Sequence, residues 1–132
     1  MGLDNGVCVR RTPETNKIKE LKVFNIDWDN KLEYDFEAAC WRKNWGLRSD
    51  VLWILRDSVE NKCEYSVSKE QLDDIIKLLK SYNSKTWTNS IWDWDGEKYP
   101  YSKYIKQNIK DLKLLRKLMD QYELEVYFYD SY

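Results

Sequence analysis

Residues 37–72, EAACWRKNWGLRSDVLWILRDSVENKCEYSVSKEQL, carry the passage on which a reading of the fold turns. Leu47, Val51, Ile54 and Leu55 recur at the spacing of one helix face, with Trp53 broadening the apolar stripe. The pattern predicts a helix that starts near Glu37 and bends or restarts around Gly46. Asn61-Lys62 ends it, and Cys63 to Val67 reads as a short strand. Ser68 is an N-cap, and Gln71 at the third helical position completes a capping box. Leu72, Ile75, Ile76 and Leu79 then mark the buried side of a second helix ending near Tyr82.

Working outward, Gly6 to Arg11 is a predicted strand with Val7 and Val9 on one face. Thr12-Pro13-Glu14 makes a turn, because proline cannot continue a central ladder. Leu21 to Ile26 and Leu32 to Phe36, joined by Asp29-Asn30-Lys31, are predicted to pair as an antiparallel hairpin with one wet face. Asn83 to Pro100 is irregular and rich in Ser, Thr, Asn, Asp and Trp, and loops that long are commonly functional. Ser102 is placed to cap a last helix that buries Ile105, Ile109, Leu112, Leu115 and Met119, and Leu124 to Tyr129 closes the chain as a strand. Together these elements predict a single α+β domain over residues 1–132. Its mostly antiparallel sheet has about five strands, with about three helices packed on it.

With 22 basic against 23 acidic side chains the net charge is −1, which argues against a duplex-binding protein, whose affinity comes from neutralising phosphates. The aromatic share is 15%, with seven Trp and ten Tyr, more rings than a small core needs. Cys8, Cys40 and Cys63 form no C-x-x-C pair, and the chain has no His, so a zinc site lacks ligands. The cysteines read as reduced, mostly buried thiols in a cytoplasmic setting. The longest apolar run, Val51 to Leu55, is too short to cross a bilayer, no secretory signal is read, and Gly6 stands where a myristoylation motif needs Ser or Thr.

The segments Met1 to Asp4, Trp41-Arg42-Lys43, Glu64 through Leu72 and, more loosely, Val126 to Tyr132 carry a resemblance. The chain resembles a family of small proteins encoded by bacteriophages and prophage regions. These open Met-Gly-Leu-Asp, carry a Trp-Arg-Lys triplet and a Glu-Tyr-x-Val-Ser-x-Glu-Gln-Leu segment, and end in an aromatic strand. That family often places His and Trp shortly after the triplet, where this chain has Arg48 and Asp50, so no role of that His transfers. The resemblance implies a context, a phage product in a bacterial cytoplasm, and no particular activity; small phage proteins outside the virion module often counter host defence.

Two clusters are candidate sites. Trp41, Arg42, Lys43, Trp45 and Arg48 combine indoles that stack on bases with guanidinium groups that grip phosphate. On a continuous helix Trp41, Trp45 and Arg48 would share a face. The competing reading makes the indoles core anchors and the cations a solvated face. Trp87, Trp92, Trp94, Tyr99, Tyr101 and Tyr104 form the second cluster, suited to a protein-binding hot spot or a ligand lid, or else to a second small core.

A calcium loop around Gly96 fails on Ile91 and Ser102, which occupy the first and twelfth ligand positions. No Ser-His or Cys-His pair and no phosphate-cradling glycine loop is present, and a Glu64–Glu70 carboxylate pair would depend on folding. The expectation is a non-enzymatic binding protein without cofactor or metal. It would sequester a cyclic or modified nucleotide or, alternatively, inhibit a host defence protein through the Trp87–Tyr104 loop. A carboxylate hydrolase stands third, and self-association into a homo-oligomer is left open.

Overall fold

The computed structural model describes residues 4–24, 35–42, 44–83 and 101–131, and for Asp4, Arg42 and residues 101–104 the backbone alone. Strand β1 (Asp4–Val9) sends Asn5, Val7 and Val9 to one side and Gly6 and Cys8 to the other, as the strand period requires. It pairs antiparallel with β2 (Phe36–Arg42) on one edge and with β5 (Val126–Ser131) on the other. The sheet continues through β4 (Glu64–Ser66) to the short β3 (Glu60–Asn61), in the order β2-β1-β5-β4-β3, with every pairing antiparallel. Among the described residues three α-helices complete an α+β domain: α1 (Trp45–Ile54), α2 (Lys69–Ser81) and α3 (Tyr101–Gln121).

The inner sheet face, carrying Val7, Val9, Phe36, Ala39, Val126 and Phe128, joins the buried sides of the helices in one apolar cluster. Leu47, Val51 and Leu55 supply α1's share; Leu72, Ile75 and Leu79 that of α2; Ile105, Leu112 and Leu115 that of α3. Ile109 and Met119 are half-buried against the same cluster.

Where the expected helix from Glu37 should begin, the chain is strand β2. The register slips between Val7, which faces Ala39, and Cys8, which faces Glu37, so that Ala38 is the extra residue of a bulge. The bulge resets the side-chain phase and puts Phe36, Ala39 and Trp41 on the same inner face. Helix α1 begins instead at Trp45, capped by Asn44, whose Oδ1 accepts the Leu47 N–H at 3.0 Å. Trp53 does not widen its apolar stripe. The residue is 68% exposed, and the Arg56 guanidinium stacks on its ring at 4.4 Å.

The predicted second strand is also replaced, at Leu21 to Val23, by a 3₁₀ turn (Lys19–Val23) that buries Leu21. Residues 25–34 of that expected hairpin lie outside the described residues, and Phe36, its last residue, opens β2 and pairs with β1 instead. Lys62 and Cys63 take left-handed backbone angles (φ 51° and 68°) in the β3–β4 turn, so the strand starts at Glu64 rather than Cys63. That leaves Cys63 exposed and Cys40 half-buried, with Cys8 alone fully buried, against the expectation of mostly buried thiols. The capping box forms as expected: Ser68 Oγ accepts the Gln71 N–H at 3.1 Å and Gln71 Oε1 accepts the Ser68 N–H at 2.9 Å.

Candidate functional site

Trp41 is a strand residue with 3% of its surface exposed, so its ring offers no open face for stacking. Arg42 ends β2 opposite Asp4; its side chain, and the whole of Lys43, lie outside the described residues. Trp45 opens α1 half-buried, and the Arg48 guanidinium lies 5.5 Å from its ring centroid. Arg48 is also committed to Asp130, with Nε to Oδ1 at 2.7 Å and the second guanidinium nitrogen to Oδ2 at 2.8 Å. The fork ties α1 to β5 at side-chain exposures of 19% and 3%, a setting in which removing one partner strands a buried charge. Trp41, Trp45 and Arg48 are therefore not three residues of one helix face. Trp87, Trp92, Trp94 and Tyr99 lie outside the described residues; Tyr101 begins α3, and its side chain is not described.

The register nonetheless brings part of the first cluster to one place. Trp41 on β2, Asn5 on β1 and Asp130 on β5 are direct cross-strand partners, so all three project from one row of the inner face. Asn44 follows three residues after Trp41, and α3, which carries the buried Asn108, packs against β2. This row departs from an apolar core. Asn5, Asn44, Asn108 and Asp130 are all at least nine-tenths buried.

Within that set the Nδ2 groups of Asn5, Asn44 and Asn108, the Trp41 Nε1–H and Asn5 Oδ1 have no protein hydrogen-bond partner. A buried orphan of this kind typically costs about 1–3 kcal/mol, so each of these donors needs an acceptor. Ordered water or the acceptor edge of a small ligand would satisfy them. The sequence signal was present but faint: Asn5 alternates with Val7 and Val9, and Asn108 interrupts the stripe of Ile105, Leu112 and Leu115.

The outer sheet face carries a second polar layer, and it is internally satisfied. Arg10 reaches Asp35 at 2.9 Å, Glu64 at 2.6 Å and Glu125 at 3.0 Å, and lies 4.2 Å over the Tyr127 ring. The Tyr127 hydroxyl donates to Asp35, and that of Tyr129 donates to Glu37 at 3.0 Å with Cys40 Sγ 3.4 Å away. Burial, then nearby carboxylates or thiols, pushes both phenols far above the ordinary tyrosine range. Burial likewise pushes the Cys8 thiol up, so it is held neutral and unreactive. The hydrogen bond to Glu64 leads in keeping Arg10 charged. Glu64 thus serves the Arg10 hub.

Among the described residues no group of three His, Cys, Asp or Glu side chains comes together to hold a metal, and no helix is long and apolar enough to cross a membrane. Comparison with protein-family models, curated proteins and solved structures finds no match to this chain.

Proposed function

We propose that this chain is a non-enzymatic, phage- or prophage-encoded binding protein that acts in the bacterial cytoplasm against host defence. Its ligand would be a cyclic or modified nucleotide sequestered by the inner-face neighbours Asn5 and Trp41 together with Asn44 and Asn108, beside Arg48. The observation that carries the reading is the set of buried donors without protein partners on Asn5, Trp41, Asn44 and Asn108, of which Asn5 and Trp41 are direct cross-strand neighbours. A nucleobase edge or a phosphate is rich in acceptors and complements such a row. Trp41 then contributes its indole N–H rather than a stacking face. The phage context is supported by the sequence resemblance alone.

Protein purified from defence-competent cells, denatured and analysed by mass spectrometry, should release an intact nucleotide in about one-to-one amount, and a nucleotide panel should show the same ligand by calorimetry. Asn5→Leu and Asn108→Leu should abolish binding while leaving stability unchanged or raised, because an apolar replacement of similar shape removes an orphaned donor. Absence of any released or titratable nucleotide ends the reading; a degraded one would point to a hydrolase.

A second reading, inhibition of a host defence protein, is favoured by the exposed Trp53, since such rings dominate binding hot spots. Capture of one host protein that is lost on Trp53→Ala or Trp92→Ala but retained by Asn5→Leu would support it over the first.

A further inference from the structure

Helices α2 and α3 pack antiparallel, as their cross-contacts show. Lys69 meets Asp120 at 3.3 Å, Asp73 meets Arg116 at 3.0 Å, and Lys80 and Lys113 line the same groove. Ascending numbers on one helix thus match descending numbers on the other. Between them runs a groove of about 420 Å³ lined by Asp73, Ile76, Lys77, Lys80, Lys113 and Arg116.

Its two ends differ in charge. At the Lys69 end the cations are neutralised, since Arg116 holds both Asp73 and Asp120, the latter at 2.8 Å. At the other end Lys77, Lys80 and Lys113 are exposed and make no ion pair among the described residues. The proximity of Lys113 pushes the Lys80 ammonium below its ordinary range. Two like charges brought to one groove from separate helices, with no acid ion-paired to them among the described residues, form an arrangement that costs energy until an anion bridges them.

We propose that Lys77, Lys80 and Lys113 form an anion site for a phosphoryl group, supplied either by free polyphosphate or by the phosphate end of a nucleotide. Three ammonium groups from two helices match the three terminal oxygens of a phosphoryl dianion; a carboxylate offers two oxygens and one charge. Ile76 gives the groove one apolar wall on which a non-phosphate portion of the ligand can rest. The site does not depend on the inner-face row.

The test titrates the intact chain with inorganic pyrophosphate and, separately, with ADP, following backbone amides of α2 and α3 by NMR at fixed ionic strength set with chloride. The expected result is saturable shifts around Lys77, Lys80 and Lys113, weakened about fivefold for each lysine removed in Lys80→Gln and Lys113→Gln. Equal affinity for the two ligands assigns free polyphosphate chemistry, and tighter binding of ADP assigns a nucleotide. Without ligand the same variants should be as stable as the parent or slightly more so, because each removes a repulsion; a merely structural lysine would lower stability instead. No saturable binding of either anion, or binding indifferent to both substitutions, overturns the proposal.

Discussion

Cys8 and Cys63 show how far the surroundings separate two identical side chains. Cys63 sits exposed in the β3–β4 turn, while Cys8 is buried on the outer face of a central strand with its thiol pushed up by burial. Thiol reactivity needs both access and thiolate, so an alkylating reagent should modify Cys63 rapidly in the native protein. Cys8 should react only on unfolding, slower by roughly several thousandfold or more if access needs global opening of a fold at the marginal end of native stability, about 5 kcal/mol. Peptide mapping over time would read this directly, and labelling of both at one rate would contradict the placement of Cys8. Next to it, Gly6 shows a different constraint: a Cβ there would run into the Ala39 carbonyl oxygen, so β1 and β2 approach closely only because position 6 lacks a side chain.

At the scale of elements, α2 was the most legible part of the chain because its determinants are local. Ser68 and Gln71 satisfy each other's backbone donors, and Gln71 Nε2 also donates to Ser58 Oγ at 2.8 Å, which ties the helix start to the preceding segment. Ser68→Ala should therefore lower stability by about 1 kcal/mol in chemical denaturation with an unchanged m-value. A change near zero would mean that the cap contributes nothing beyond its exchange with water.

Strand β2 was illegible for the opposite reason. Its phase is broken by the bulge at Ala38, and its partner β1 lies some thirty residues away, so pairing overrides what Glu37, Ala38 and Ala39 prefer on their own. The same non-local register gathers Asn5, Trp41 and Asp130 into one row. Sequence reading could flag Trp41 and Arg48, but the companions Asn5, Asn44 and Asn108 looked like isolated polar residues. The acid that occupies Arg48 stands 82 residues further on.

For the molecule as a whole, the outer face sets how stability responds to alkali. Tyr127 and Tyr129 have phenols raised chiefly by burial, and Tyr82 is raised the same way and by its hydrogen bond to Asp50 at 2.9 Å. In the unfolded chain these phenols ionise near pH 10, whereas the folded protein keeps them protonated. Their contribution is therefore complete below about pH 10 and is lost as pH rises above it, because the unfolded state then sheds protons that the folded state retains. Lys80 works in the other direction: its lowered pKa means the repulsion from Lys113 fades with rising pH, but the group is exposed and solvent screens the effect. The tyrosines should dominate. The urea midpoint should hold steady from neutral pH to about 8, begin to fall above about 8.5 as the Cys8 thiol ionises in the unfolded chain, and fall steeply beyond about 10. Tyrosinate absorbance from the buried phenols should appear together with the unfolding transition. If those phenols ionise while circular dichroism still reports the native sheet, Tyr127 and Tyr129 of β5 are not sealed against Asp35 and Glu37.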